Sequence, residues 1–156
     1  MNIPISAVID TSVIMSAFMS PLNTGASFAI LENFVARKNF IWIMSQSIYD
    51  EYHKKLVLKF DQIQKRAATK GVIIEASDID DIMSFLAKNC RWAIDPPVKH
   101  GITLDPNDDN IATLAIDVGV HYLVTLDNDY APMLQGDYLV KVVKPSEFIQ
   151  ILRVVS

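Results

Sequence analysis

Apolar residues follow two different patterns along the first third of the chain. Residues 5–9 (ISAVI) and 40–44 (FIWIM) are short continuous apolar runs, which are typical of buried strands. Between these runs the apolar side chains recur at helical spacing, which predicts an amphipathic helix over Thr24–Arg37. The chain therefore begins with an alternation of strand and helix.

The middle of the chain has mostly helical signals. Ser45 or Ser47 can cap a helix that begins directly after the second strand. The residues that follow are charged and helical in character, and we expect a helical insertion over about 54–90. Ser77 and Asp80 have the spacing of a capping box for the last helix of this insertion.

The last third returns to alternation. A helix is predicted over 108–118, with Gly119 as its left-handed end. Strands are predicted over 122–126 and 139–143, and Pro145 opens a final helix. Alternation of this kind predicts an α/β fold with a mostly parallel sheet, covered by helices on both faces, and function at the carboxyl ends of the strands.

Length and composition indicate one domain over residues 1–156. Hydrophobic residues make up 51% of the chain, which argues against long disordered segments. No apolar run reaches the roughly 18 to 20 residues of a membrane helix, and the first residues lack a basic segment and a cleavage site. The single Cys90 excludes an internal disulfide and a cysteine-based zinc cluster. We expect a cytoplasmic protein of a reducing compartment.

The net charge of −4 at pH 7 is unusual for a nucleic-acid binder, because neutralisation of phosphates supplies most non-specific affinity. A nuclease centre built from carboxylates nevertheless contributes negative charge that bound metal offsets. Basic residues also cluster locally, for example Lys54, Lys55 and Lys59, although such clusters are more often solvated faces. The overall charge therefore does not exclude a nucleic-acid substrate.

Acidic residues occur where predicted strands end or helices begin. They are Asp10 in VIDTS, Glu51 in SIYDEY, Asp105, Asp108 and Asp109 in DPNDDN, and Asp127 and Asp129 in TLDND. Because the carboxyl ends of parallel strands meet at one edge of a sheet, these side chains can converge. Mg²⁺ and Mn²⁺ prefer oxygen ligands of this kind. The pattern predicts a divalent-cation site that acts on phosphodiesters.

Several of these positions also have a purely structural interpretation. Glu51 could pair with Lys55 at the i, i+4 spacing of an exposed helix. Asp105 and Asp109 could be loop and helix-start charges that the helix dipole stabilises. The segment 127–129 could be a polar turn between strands.

Two other classes of acidic site do not fit. A calcium-binding loop starting at Asp105 would need Gly and Glu at its sixth and twelfth positions, where Asn110 and Ile116 stand. A phosphatase of the haloacid-dehalogenase type would use Asp10 as nucleophile and a second acidic residue two positions later, where the chain has Ser12.

The motifs and their order resemble a PIN (PilT N-terminus) domain. The segments that carry the resemblance are VIDTSVIMSA, SQSIYDEY, DPNDDNIATLA, HYLVTLDND and VVKPSEFIQIL. It covers nearly the whole chain, and residues 60–95 contribute little to it. The most similar subgroup is the toxin components of toxin–antitoxin systems, VapC-like in the broad sense. The resemblance implies a three-layer α/β/α sandwich around a mostly parallel sheet, with a metal-dependent ribonuclease centre.

By this resemblance, Asp10, Glu51, Asp108 and Asp127 are the four catalytic acidic residues. Asp10 and Asp108 would bind Mg²⁺ or Mn²⁺ directly. Asp127, together with Glu51, would hold the metal's waters or complete a second site, and a metal-activated water would attack the phosphodiester. Accessory roles fall to Thr11, Ser12, Asp105 and Asp129.

We therefore expect a metal-dependent endoribonuclease that is the toxin of a toxin–antitoxin pair. The expected partners are an RNA substrate, an antitoxin protein and a second copy of the chain in a dimer, with no membrane. An exposed apolar surface in the region Met15–Leu31 would bind a partner's helix. The alternative is a non-catalytic PIN-like module that binds RNA or protein.

Overall fold

The computed structural model describes residues 3–19, 25–136 and 138–155, and these ranges contain five β-strands and seven α-helices. In chain order they are β1 (Ser6–Ile9), α1 (Thr11–Phe18), α2 (Ala26–Arg37), β2 (Ile41–Met44), α3 (Gln46–Leu58), α4 (Phe60–Ala68), α5 (Ala76–Asn89), β3 (Arg91–Trp92), α6 (Asp109–Val118), β4 (Tyr122–Val124), β5 (Lys141–Val143) and α7 (Pro145–Val155). There are also two 3-10 segments in these ranges. Pro106–Asp108 precedes α6, and Asn128–Gln135 follows β4.

All five strands are parallel and lie in the order β3-β2-β1-β4-β5. Helices cover both faces of this sheet, which confirms the predicted three-layer α/β/α sandwich. The strand order reverses at β1, because β2 and β3 follow on one side and β4 and β5 on the other. A reversal of this kind opens a crevice at the carboxyl ends of the two strands that flank it. The VIDTS and TLDND motifs leave β1 and β4 at this point.

The centre of the sheet is fully buried. Residues 7–9 of β1 have no exposed surface, as expected for a parallel strand covered on both faces. An aromatic cluster fills the space beside it, where the ring of Phe34 lies 5.3 Å from that of Phe40 and 5.1 Å from that of Trp42. Helix α2 contacts α1 and α7, and α3 contacts α1 and α5. This packing fixes the elements that carry the acidic motifs.

Most predicted elements are present with shifted ends. The strand predicted over 122–126 stops at Val124, and the one predicted over 139–143 starts at Lys141. The chain leaves the sheet after Val124 because the backbone N–H of Asp127 turns back to the side chain of Thr125. Gly119 ends α6 with a φ of 74°, as predicted for a left-handed cap.

Helix α1 was not predicted. It begins at Thr11, directly after β1, and its sequence TSVIMSAF has few polar positions that would mark a separate helix. The predicted start of the next helix at Thr24 lies outside the described residues, and the described helix runs over Ala26–Arg37.

The predicted capping box of α5 is wrong. Glu75 is the cap, and the Asp78 carboxylate accepts a hydrogen bond from the backbone N–H of Glu75 at 2.7 Å. The helix starts at Ala76 because Glu75 has the extended backbone of a cap residue, two positions before Ser77.

The exposed apolar surface expected within Met15–Leu31 is also wrong for the part of this region that the structure describes. Met15, Phe18 and Phe28 are half-buried against the core, and Leu31 is buried. The reason is that α1 and α2 pack against each other. In the described ranges, no helix is both long enough and apolar enough to cross a membrane.

Candidate metal centre

Asp10 is the first residue after β1 and lies at the strand-order reversal. Its backbone N–H donates to the carbonyl of Val124 at 2.9 Å, which continues the pairing of β1 with β4 by one residue. Asp10 is also the residue before α1, and its side chain makes no capping bond to that helix. The carboxylate is only 1% exposed and is therefore fixed inside the crevice.

Three hydroxyl groups hold the Asp10 carboxylate. Ser12 and Thr125 donate to its Oδ2 atom at 2.6 and 2.8 Å, and Tyr130 donates to Oδ1 at 2.9 Å. A carboxylate has about four acceptor positions, so these bonds leave one on Oδ1. Asp10 can thus bind a cation through Oδ1 while it keeps all three hydrogen bonds.

Asp108 is the last residue of the 3-10 segment before α6 and is 8% exposed. Its Oδ2 atom is buried and has no hydrogen-bond partner. Burial, followed by the negative charges of Asp10, Asp105, Asp127 and Asp129, raises the pKa of Asp108 to about 7. A bound cation would relieve both causes, because it would supply a partner for the orphaned oxygen and offset the surrounding charge.

Asp127 completes a group of three carboxylates. It follows β4 and is exposed, and partial burial of its carboxyl group together with the charges of Asp10 and Asp129 raises its pKa. Lys55 acts in the opposite direction. Carboxylate oxygens of Asp10, Asp108 and Asp127 all lie within 4.8 Å of one another. Three oxygen donors at this spacing fit a hard divalent cation.

A second group of carboxylates shares Asp108. Oxygens of Asp105, Asp108 and Asp129 also lie within 4.8 Å of one another. The backbone joins these segments, since the N–H of Leu104 donates to the carbonyl of Asp129 at 2.7 Å. The two groups together have the donors for two cations, one on each side of Asp108.

Glu51 lies on α3, beside the centre but in neither group of three. Burial, and to a lesser degree the charges of Asp10 and Asp105, raise the pKa of Glu51, while Thr11 and Lys55 lower it. Thr11 Oγ1 is buried and makes no hydrogen bond of ordinary geometry, although its side chain neighbours the Glu51 carboxyl group. The structure therefore contains both features foreseen for Glu51, namely its proximity to the acidic centre and its charge interaction with Lys55.

The next residue, Tyr52, ties α3 to the strand that carries Asp10. Its buried hydroxyl donates to the carbonyl of Ile9, the residue before Asp10. This bond places the helix of Glu51 against the end of β1.

Asp109 has a structural role. It is buried and accepts hydrogen bonds from the backbone N–H groups of Gly101 and Thr103 and from the Thr103 hydroxyl, all at 2.8 to 2.9 Å. Burial opposes ionisation of Asp109, yet these bonds outweigh it and lower the pKa. The single O–H of Thr103 is shared with the carbonyl of Asp105, whose oxygen lies 2.6 Å from Thr103 Oγ1. Asp109 therefore shapes the loop that presents Asp105 and Asp108.

The structure brings the predicted residues Asp10, Asp108 and Asp127 together, and Ser12 lies in contact with Asp10. Thr125 and Tyr130 were missed by the sequence analysis. A hydroxyl residue at the end of β4 was the available signal for Thr125, whose Oγ1 both donates to Asp10 and accepts from the N–H of Asp127. No sequence signal pointed to Tyr130, because its role depends on the path of the 3-10 segment.

Fold and site together define an α/β/α protein with an acidic, cation-compatible centre at the carboxyl edge of a parallel sheet. The profile of the PIN domain family matches residues 6–129, which is most of the chain. The chain belongs to the PIN domain family. PIN domains are generally metal-dependent nucleases, and the acidic cluster of this chain is consistent with that class.

Among solved structures, the chain is similar to PAE2754 from Pyrobaculum aerophilum, with a TM-score of 0.59. The sequence identity is 11%, and the match covers 96% of this chain and 90% of that one. At this identity the similarity concerns the fold. A comparison with curated protein sequences found no match.

Proposed function

We propose that this protein is a metal-dependent endoribonuclease that hydrolyses RNA phosphodiester bonds. The observation that carries the proposal is the group Asp10, Asp108 and Asp127, whose oxygens lie within 4.8 Å of one another at the strand-order reversal of a PIN domain. The orphaned Oδ2 atom of Asp108 supports it further, because an unpaired buried carboxylate oxygen is costly unless a cation or proton occupies it.

In this proposal Asp10, Asp108 and Asp127 hold Mg²⁺ or Mn²⁺, and Asp105 and Asp129 contribute to a second position beside Asp108. When bound, the cation supplies an activated water and neutralises charge on the phosphate. Glu51 would accept a proton or orient a water beside this centre, since its carboxyl group is near enough to Asp10 for their charges to interact. Ser12 orients the Asp10 carboxylate, and Thr11 faces Glu51.

The biological setting follows the subgroup resemblance. We propose that the protein is the toxin of a toxin–antitoxin pair, acts on RNA in the cytoplasm, and is bound by an antitoxin protein. We also propose a dimer, and a single domain in which α4 and α5 form the insertion over about 54–90.

The test of the nuclease proposal is cleavage of a mixed RNA pool by purified protein in Mg²⁺, in Mn²⁺ and in EDTA. Asp10→Asn and Asp108→Asn are compared with wild type, and Asp81→Asn, an exposed acidic position on α5 outside the centre, is the matched control. We expect metal-dependent cutting by wild type and Asp81→Asn, and a loss of at least about 100-fold in both site variants, as is typical when a charge-stabilising group is removed. Equal cutting by wild type and site variants would contradict the proposal.

The alternative function is a PIN-like module that binds RNA or protein without catalysis. It predicts no metal-dependent cutting by wild type but retained RNA binding in EDTA. The three hydroxyl groups that hold Asp10, with one position on Oδ1 left open, favour the enzyme, because a precisely held carboxylate is of little use to a surface that only binds.

A further inference from the structure

A cavity of about 380 Å³ lies beside the acidic centre on the carboxyl side of β4 and β5. The first turns of α2 and α7 form two of its walls, and Ser16 of α1 forms another. Leu126 and Lys144, which follow β4 and β5, separate it from the centre. None of these residues belongs to either group of carboxylates.

Two helix N-termini meet at this cavity. Helix α2 has 12 residues and follows Gly25, which has a φ of 102° and no side chain that could cap the first N–H groups. Helix α7 has 11 residues and starts with Pro145, so Ser146 supplies the first backbone donor of its N-terminal turn. Both ends present N–H groups and the positive end of a helix dipole, which favours an anion.

Ser27 gives independent evidence for a ligand. It lines the cavity and is 6% exposed, and among the described residues its hydroxyl has no hydrogen-bond partner. The Ser27 oxygen is not one of the fully buried orphaned atoms, so the little surface that this side chain keeps leaves its hydroxyl accessible. A ligand with acceptor oxygens would supply a partner.

Lys144 adds a positive charge at the wall of the cavity. Its Nζ donates to two neutral oxygens, the carbonyl of Leu126 at 3.1 Å and Oδ1 of Asn128 at 3.2 Å. An ammonium group has three donors, so one is left for a ligand. The Glu147 carboxylate accepts the backbone N–H of Lys144 and lines the neighbouring cavity next to Tyr130.

The cavity is connected to the acidic centre by a short path. The N–H of Leu126 donates to Ser12 Oγ at 3.1 Å, and Ser12 donates to Asp10. Ser16 lies one helical turn beyond Ser12 on α1, about 6 Å along the helix axis. A nucleic-acid strand with one phosphate at Asp10 can therefore place a neighbouring phosphate in the cavity.

We propose that this cavity binds a backbone phosphate of the RNA strand next to the phosphodiester at the acidic centre. The inference rests on the proposed function, since it names how the same substrate is held. Backbone N–H groups, a lysine and a serine hydroxyl are the donors that proteins use for nucleic-acid phosphates, and such contacts position a strand without reading its sequence.

The first experiment uses inorganic phosphate alone and needs no catalysis. In ¹H–¹⁵N spectra of the metal-free wild-type protein, we expect phosphate to shift the amide signals of Ala26, Ser27 and Ser146. Ser146→Asp should abolish these shifts, because its carboxylate repels phosphate, whereas an acidic residue in the first turn is compatible with α7. The matched control is Ser77→Asp, which places the same charge in the first turn of α5, away from the cavity, and should leave the shifts unchanged. Unshifted cavity amides in wild type would overturn the proposal.

The second experiment measures binding of a short single-stranded oligoribonucleotide in EDTA by fluorescence anisotropy. We expect Ser146→Asp to raise Kd at least fivefold, and Ser77→Asp to change it less than twofold. Lys144→Gln should reduce the slope of log K against log salt concentration by about 0.7, the value for one phosphate contact on a single strand. Because EDTA removes the metal, these outcomes do not depend on nuclease activity.

The two experiments separate the possible anions. Phosphate shifts together with weakened RNA binding in Ser146→Asp support the proposal, even if the wild type proves unable to cut RNA. Phosphate shifts with unchanged RNA affinity in Ser146→Asp would show that the cavity takes a free phosphate or nucleotide, and would overturn the assignment to the RNA strand.

Discussion

At the scale of single residues, the centre combines an acidic group that is well partnered with one that is not. Asp10 has three hydroxyl donors, whereas one oxygen of Asp108 is buried without any. Burial without a hydrogen-bond partner favours the neutral form of the Asp108 carboxyl group. The charge state of Asp108 therefore depends on whether a cation is present.

The raised pKa of Asp108 predicts a pH dependence of stability in the metal-free protein. Its pKa is 3.8 ordinarily and about 7 in the fold, so the folded state holds this proton more tightly and loses stability as pH rises from about 4 to about 7. Asp108→Asn removes this titration. The free energy of unfolding of Asp108→Asn, relative to that of wild type, should rise by roughly 1 to 2 kcal/mol between about pH 4 and pH 8. This rise is smaller than the full pKa shift implies, because water screens part of the carboxyl group.

Urea unfolding in EDTA across this pH range measures the effect. A difference between Asp108→Asn and wild type that stays constant with pH would contradict the prediction. Addition of Mn²⁺ at about pH 8 should restore the stability of the wild type and leave the stability of Asp108→Asn unchanged, since metal binding needs the charged carboxylate.

Tyr130 provides a second prediction at this scale. Its hydroxyl is fully buried and donates to Asp10, and burial with the nearby negative charges raises its pKa far above the ordinary value, so it remains a donor. Tyr130→Phe should lower the free energy of unfolding by about 1.5 to 3 kcal/mol, the usual range for a hydrogen bond to a charged group. It should also weaken metal binding about tenfold, as loss of an orienting partner does.

Calorimetric metal titration and urea unfolding test both parts. Tyr122→Phe is the matched control, because no hydrogen bond of its hydroxyl is found among the described residues. An equal effect of the two substitutions would assign the result to general packing instead of to Asp10.

At the scale of elements, two helices that serve the centre begin directly after the carboxyl ends of strands. Helix α1 follows β1 and α3 follows β2, so Asp10 and Glu51 approach the crevice from neighbouring strands. The start of α3 is held by Asp95, which accepts hydrogen bonds from the backbone N–H of Ser47 at 3.0 Å and from its hydroxyl at 2.6 Å. A residue after β3 thus fixes the helix that carries Glu51.

Asp95→Ala should lower the free energy of unfolding by about 1 kcal/mol, the usual value of a helix cap. Burial opposes ionisation of Asp95, but the hydrogen bonds from Ser47 and Ser45 outweigh it and lower the pKa. The stabilising contribution is therefore present at neutral pH and is lost as pH falls below the ordinary value of 3.8. Urea unfolding at neutral pH measures the loss, with Asp81→Ala as an exposed control; equal losses in both variants would rule out the cap.

At the scale of the whole molecule, the chain has a net charge of −4, and five of its carboxylates lie in the two groups at the acidic centre. Binding of a cation to the folded state alone shifts the folding equilibrium, by about 2.7 kcal/mol at a concentration 100-fold above Kd. For a domain of this size we expect Mn²⁺ to raise Tm by roughly 5 to 10 °C at such a concentration.

Thermal unfolding with and without Mn²⁺ tests this expectation independently of any substrate. Asp10→Asn and Asp108→Asn should lose most of the shift, whereas Asp81→Asn should keep it. An unchanged Tm of the wild-type protein in Mn²⁺ would show that the acidic centre is not a metal site.

The sequence by itself determined the fold class and the positions of the acidic residues. Continuous apolar runs such as 5–9 and 40–44 fit strands that are covered on both faces, and the helix predicted between them supplies the crossover that parallel pairing needs. Once the strands are parallel, the residues that follow them, Asp10 and Asp127, must lie on the same edge. Each of these patterns lies within a short stretch of sequence, so the structure it predicts does not depend on distant residues.

Tertiary structure alone decided which neighbours each acidic residue has. The strand order places β4 beside β1, and only this order brings Thr125 and Tyr130 to Asp10 across more than 110 positions of sequence. The same is true of the cavity between α2 and α7, whose walls come from four separate segments. Hydrogen bonds, burial and charge repulsion depend on distances in space, and the order of strands sets those distances in a way that no single stretch of sequence contains.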